Sequence, residues 1–487
     1  MTTAYQSPIE ATSERTKTNV PFWIVFGIAL YIPFEEFVLR WLPGLVPVAL
    51  RFVPELILYG LLITVCGNRI IKGYKLRSTP IDLLLVAFFL ATAVSMVING
   101  SALFRSIVNL RTMWRYLSVF YIVVNIDISR AQLRQLLQSL KVVFLIQGVL
   151  SAVQYFLPAG FNQAVFAPRG FEFGDFKGGA RAADGLLKVG ATAGTFSDSA
   201  VLSAFLLVGL CLSTVTIYAT GHNTIPSYGD IAGFGSLLFG IFASKKRAAL
   251  GLAILIPLVV FYVCRRKKLF VGSVWFYATV GTLALIAISI VGGADTSFAG
   301  SDARTESIGL SAYFLQIFSA DYWQNSSEQS RGWFVRTIVN GTLVTKSFFG
   351  FGPDFDQAQS GLRATLSTAA DMAKLQRDEP VFDDAFWFAF FAYFGVVGTA
   401  LYAFMLKRLY DASKWLTRVS TEPEYRAIGG TFATLLLITV LYAFVERILR
   451  LRAFSFYFWL LAGLMVNTCH LKMAELSQKR RGNTSVK

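Results

Sequence analysis

The chain has 487 residues, of which 55% are hydrophobic and only 15% charged, and it carries a net charge of +16. A soluble domain averages about 25% charged residues, so this composition excludes an ordinary soluble fold, and apolar runs of spanning length point to a membrane protein. The basic excess does not mark a nucleic-acid binder, because the lysines and arginines are scattered among apolar spans, with no basic domain, RNA-binding signature or zinc-finger spacing.

In chain order, residues 1–20 form a polar tail containing Arg15 and Lys17 but no signal-peptide cleavage pattern, so the first apolar span is expected to be retained. Read against the length needed to cross a bilayer, the apolar runs predict an all-α polytopic protein of about twelve helices. They lie near 22–40, 48–66, 80–99, 112–127, 141–157, 197–218, 230–244, 248–264, 269–291, 385–406, 428–446 and 453–469. Glu35 and Glu36 interrupt the first span, where carboxylates are costly and therefore functional candidates; a bent first helix that lets them reach the interface is the alternative. The cysteines (Cys66, Cys211, Cys264, Cys469) are solitary and only His222 and His470 offer imidazoles, so neither a disulfide framework, a metal site nor a cofactor is expected.

Charge sets the orientation. Arg69, Lys72, Lys75 and Arg77 follow the second span, Arg130, Arg134 and Lys141 the fourth, Arg265 to Lys268 the eighth, Lys407, Arg408, Lys414 and Arg418 the tenth, and Lys472, Lys479, Arg480 and Arg481 the last. All five groups share one face if both termini are cytoplasmic. The predicted layout is then a cytoplasmic tail (1–20), nine helices with an outer loop at 158–196 (21–291), a large extracytoplasmic loop (292–384), three helices (385–470) and a cytoplasmic tail (471–487).

Many arginines fall on the other, outer face, where the bias against them asks for an anionic partner such as phosphate. Ser244-Lys245-Lys246-Arg247 forms an outward turn; snorkelling to lipid phosphates competes there with chelation of a pyrophosphate, for which the guanidinium fork of Arg247 is suited. In the large loop, Arg331-Gly332-Trp333 precedes Arg336 and then Gly350-Phe351-Gly352-Pro353; either arginine can join Arg247 around one anion, or the segment is a solvated amphipathic helix. Arg105, Arg111, Arg115, Arg447, Arg450 and Arg452 read as interfacial anchors or supporting charge. Asp383 and Asp384 precede the tenth span as a helix cap or as a general base acting on a sugar hydroxyl.

Taken in order, Gly194-Thr195-Phe196, the Ser244-to-Ala249 turn, Arg331-Gly-Trp333, Gly350-Phe-Gly352-Pro353, the acidic pair and Gly395-Val-Val-Gly398 resemble the O-antigen ligase and polysaccharide polymerase family across roughly residues 190–400. The resemblance implies a GT-C-like membrane glycosyltransferase of the bacterial inner membrane that uses undecaprenyl-diphosphate-linked oligosaccharides as donor and acceptor, by metal-independent inverting transfer. It implies catalytic roles for Arg247, Arg331 and Asp384, with Arg181, Lys188, Lys246, Arg336, Asp383 and Trp333 binding diphosphate or glycan. A chain-length regulator and a flippase are the implied protein partners, and the lipid bilayer the surrounding medium. Ligases of the family carry a His-Asn pair where this chain has Asp384, which favours a polymerase, with ligase as the alternative. A flippase is the alternative of another class; it would place charged or broken-helix sites near mid-membrane, whereas the cations here gather at the outer boundary.

Overall fold

A computed structural model of the chain describes residues 19–42, 46–166, 171–173, 176–178, 191–220, 228–264, 331–365 and 385–484. The chain enters through α1 (Val20–Tyr31), a 3-10 turn (Ile32–Phe34) and α2 (Glu35–Arg40). Helices α3 (Val46–Ile71), α4 (Asp82–Asn99), α5 (Leu103–Trp114), α6 (Leu117–Asn125), α7 (Arg130–Phe156) and α8 (Ala159–Val165) follow. Beyond a two-stranded antiparallel hairpin (Phe171–Phe173 with Phe176–Gly178) come α9 (Ser199–Thr220), α10 (Tyr228–Ala243) and α11 (Arg247–Cys264). The remainder comprises α12 (Arg331–Thr345), α13 (Phe355–Arg363), α14 (Phe386–Val419), α15 (Pro423–Tyr442) and α16 (Arg452–Thr484). Apart from the hairpin, which lies within the predicted outer loop, every described element is helical.

Among the described residues nine helices are long and apolar enough to cross a membrane, and Gly229–Ala243 is a shorter apolar one. The predicted span at 269–291 lies outside the described residues. The span predicted at 112–127 is instead the end of α5 and the short α6, separated by a turn at Arg115 and Tyr116. The run predicted at 141–157 starts earlier, because Ser129 and Gln132 form a capping box: Ser129 Oγ accepts from the Gln132 amide at 3.2 Å and Gln132 Oε1 from the Ser129 amide at 3.0 Å. The centre of the bundle is α9, α15 and α16. Phe454, Phe456, Tyr457, Phe458, Trp459 and Leu460 are all buried, a run apolar around its whole circumference as a core helix should be.

The bundle has two chemically distinct ends. One gathers Arg69 and Arg77, which donate to carbonyls at the end of α6, with Arg130 and Arg134 clasping Glu424 and Lys472 paired to Glu422 at 2.9 Å. The opposite end gathers the 3-10 turn, the starts of α3 and α11, helix α5, residues 192–195 and residues 443–452.

At that opposite end, the span predicted at 385–406 is broken. Gly395 sits at φ 60°, ψ −162° within α14. The segment before it folds back, so that the Tyr402 ring lies 4.8 Å from Phe390 and 5.9 Å from Phe386; in an unbroken helix residues 390 and 402 would be about 18 Å apart along the axis. The freed backbone groups are taken up by residues 347–353. Val396 N–H donates to Ser347 O at 2.8 Å and Val397 N–H to Phe348 O at 3.1 Å. In the other direction Phe351 N–H donates to Ala392 O at 2.8 Å and Gly352 N–H to Tyr393 O at 3.0 Å. Ser95 Oγ and Asn99 Nδ2, at the end of α4, hold the carbonyls of Phe349 and Gly350 at 2.7 and 3.0 Å. Irregular backbone inside a membrane bundle is tolerated when protein satisfies its polar groups, and this break meets that condition.

Candidate functional site

The site begins on α7. Gln147, Ser151 and Gln154, four and three residues apart, line one helical face and are buried. They hold the Gly194-Thr195 segment as a backbone shelf. Gln154 Oε1 accepts from Gly194 N–H at 2.8 Å while its Nε2 donates to Gly194 O at 2.7 Å. Gln147 Nε2 donates to Thr195 Oγ1 at 2.6 Å, and Ser151 Oγ meets Thr192 Oγ1 at 2.6 Å. Thr195 Oγ1 in turn donates to the Pro33 carbonyl, tying the shelf to the 3-10 turn.

The basic turn adjoins this shelf. Thr192 N–H donates to the Ala243 carbonyl at 3.1 Å, one residue before Ser244. The chain then reverses through Lys245, which takes φ 56° although it is not glycine, a conformation few side-chain-bearing residues adopt. Partial burial pushes the Lys245 ammonium below its ordinary pKa range. Lys246 and Arg247 follow, both half-buried, with Arg247 opening α11. Two lysines and an arginine thus occupy three consecutive positions of this turn.

A second group of charges lies beyond Pro33. Arg452 pairs with Glu35 at 2.8 Å, and its Nε donates to Tyr116 Oη at 2.9 Å and its Nη2 to the Arg51 carbonyl. Arg51 pairs with Glu36, and Glu55 receives Arg111 and, at 3.1 Å, Arg115. Three carboxylates from α2 and α3 thus face four arginines from α3, α5, the α5–α6 turn and the start of α16. Arg450 extends the group, donating to Asn109 Oδ1 at 2.8 Å, while Asn109 Nδ2 donates to the Pro353 carbonyl at 2.8 Å. Arg105 pairs with Asp356 and lies 3.8 Å from Asp354.

Of the two sequence readings of Arg105, Arg111, Arg115, Arg450 and Arg452, interfacial anchors or supporting charge, the pairs fit supporting charge: carboxylates or an asparagine from other elements hold them. The first span is interrupted by the 3-10 turn directly before Glu35 and Glu36, and arginines match both carboxylates. Glu55, Arg51 and Tyr116 were missed. A signal existed for Glu55, a lone carboxylate inside the span predicted at 48–66.

Of the predicted site residues, Lys246 and Arg247 stand together in the basic turn. Arg331, Trp333 and Arg336 fall within the first two turns of α12. Helix α11 packs on α9, α10 and α15, α12 packs on α13, and both touch α14. Arg181, Lys188, Asp383 and Asp384 lie outside the described residues, and Ala385 follows the acidic pair directly. Just beyond it, Trp387 N–H donates to the Ala443 carbonyl at 3.2 Å and Trp387 Nε1 to Val440 O at 2.9 Å, so α14 begins beside the last turn of α15. Among the described residues no group of three or more His, Cys, Asp or Glu side chains converges to hold a metal ion. The chain matches no protein-family model and no curated protein sequence.

Proposed function

We propose that the protein is a membrane glycosyltransferase that joins undecaprenyl-diphosphate-linked repeat units at the outer face of the bacterial inner membrane, as a polysaccharide polymerase. The observation that carries the reading is the Ser244-Lys245-Lys246-Arg247 turn, whose preceding residue Ala243 accepts a hydrogen bond from Thr192 in the segment leading to Gly194-Thr195, with a further surplus of arginines at the same bundle end. Twelve spans of a GT-C-like bundle, with both termini cytoplasmic, would put this end outside and the basic clusters near Arg77, Arg134 and Lys472 inside, as the positive-inside bias requires.

In this mechanism an acceptor hydroxyl attacks the anomeric carbon of the donor sugar. The carbon–oxygen bond to the diphosphate breaks, its electron pair leaves with the diphosphate, and the hydroxyl proton passes to Asp384. Charge grows on the leaving diphosphate, where Arg247, Lys246 and Arg331 stabilise it, with Arg181, Lys188 and Arg336 as further cations. Preorganised cations act strongly in a site shielded from water. Asp383 and Trp333 would contact the glycan. Transporters use broken helices to coordinate substrate with freed backbone groups; here the groups freed at Gly395 are taken by residues 347–353, so the break favours an enzyme over a flippase.

Arg247→Ala should slow polymer formation by about 10²–10³-fold, corresponding to about 2.7–4 kcal/mol of lost transition-state stabilisation. Asp384→Ala should also shorten the polymer. Both are read from chain-length distributions in cells carrying each variant as the sole copy, and wild-type distributions in both would remove the assignment.

A further inference from the structure

Between the turn that closes α12 and helix α13 lies a cleft of about 480 Å³, lined by Asn99, Lys346, Phe351, Gln357, Ser360 and Thr365 among others. Its volume falls within the range of sites for small ligands, about 300–1,000 Å³. Its lining is mixed. Hydroxyls and amides sit beside Phe351, and the lining also carries Ile98 and Val344, which are 57% and 83% exposed. In a membrane bundle such apolar exposure is a lipid-facing border. Two polar groups are only partly engaged. The Lys346 ammonium has no ion-pair partner among the described residues. Gln357 Nε2 donates to the Asn99 carbonyl, while its Oε1 has no hydrogen-bond partner. The cleft floor is fixed, because Asn99 also binds the Gly350 carbonyl in the loop that seals the α14 break.

We propose that this cleft binds the phosphate-bearing, hydroxyl-rich headgroup of a lipid in the adjoining leaflet. Lys346 takes the phosphate, Ser360, Thr365 and Gln357 take hydroxyls, and the acyl or prenyl chain runs along Ile98 and Val344. The identity of the occupant rests on the function proposed above: a lipid-linked saccharide here would be the acceptor, separate from the Arg247 turn. Phosphatidylglycerol offers the same chemistry.

The test is lipid retention by the purified full-length protein, measured by native mass spectrometry with a polyprenyl-diphosphate disaccharide and, separately, phosphatidylglycerol. Wild type is compared with Lys346→Glu and Ser360→Trp, which reverse the charge and fill the mouth at half-buried and exposed positions, and thermal unfolding verifies that each variant is folded. Both variants should retain lipid about tenfold more weakly than wild type. Loss of the disaccharide lipid alone identifies the acceptor; loss of phosphatidylglycerol alone identifies an ordinary phospholipid site. Wild-type retention of both lipids by a folded variant of either kind overturns the proposal. Because Arg247 lies outside the cleft, the chain-length assay on Arg247→Ala decides the polymerase reading independently.

Discussion

Arg452→Met is expected to destabilise the protein by about 3–5 kcal/mol, the cost of leaving one partner of a buried ion pair uncompensated. Glu35 is 2% exposed and Arg452 17%, so water does little to replace the lost guanidinium. The substitution also removes the donors to Tyr116 Oη and to the Arg51 carbonyl. The informative companion is Glu35→Leu combined with Arg452→Met. Replacing both partners by apolar groups removes the orphaned charge, so the double variant should recover part of the loss. Unfolding in detergent, followed for wild type, both single variants and the double, measures the coupling. A strictly additive double variant, or a single variant as stable as wild type, would mean the pair does not hold these elements together.

Gly395→Ala is the second large effect. At φ 60°, ψ −162° the residue occupies a region open essentially to glycine alone, where a side chain costs about 1–3 kcal/mol before any contact is considered. The contacts add to it, because a Cβ at Gly395 would stand 2.5 Å from the Phe348 carbonyl oxygen and 2.6 Å from the Gly350 nitrogen. The Phe348 carbonyl cannot retreat without breaking the bond it accepts from Val397 N–H, and the Gly350 nitrogen is held by the Lys346 carbonyl. Gly350→Ala meets the mirror-image obstacle, 2.5 Å from Ala392 O. Both variants should unfold at lower temperature and expose residues 347–365 to limited proteolysis. Gly27→Ala is the control: it lies within α1 with nothing inside 4 Å of an added Cβ, and should be neutral or slightly stabilising. Equal behaviour of Gly27→Ala and Gly395→Ala would remove the claim that the break depends on glycine.

These two features mark what could and could not be read from the sequence. The spans were legible because apolar length is a local property, and the basic groups around Arg77, Arg134 and Lys472 do collect at one end. The break at Gly395 was not, since Gly395-Val-Val-Gly398 sits in an apolar run that reads as continuous helix; what stabilises the break is a loop more than forty residues earlier. The ion pairs were half legible. Glu35 and Glu36 were conspicuous as carboxylates in lipid, but their partners Arg452 and Arg51 depend on which helix ends reach the same depth. At the candidate site, the turn before Arg247 is legible as a basic run between two apolar spans, and the structure joins its leading edge to Thr192, two residues before Gly194. The supports Gln147, Ser151 and Gln154 were overlooked, although three polar residues on one face of an apolar span are a readable sign.

We propose that the bundle end carrying Arg247 transfers glycans from a lipid diphosphate. The most direct measurement supplies the purified protein with undecaprenyl-diphosphate-linked repeat units alone, without nucleotide or ion gradient, and resolves the products by length. Wild type should produce a ladder of multimers with release of undecaprenyl diphosphate, and Arg247→Ala should give little of either. Unchanged single repeat units with the folded wild-type protein, or an equal ladder from Arg247→Ala, would contradict it.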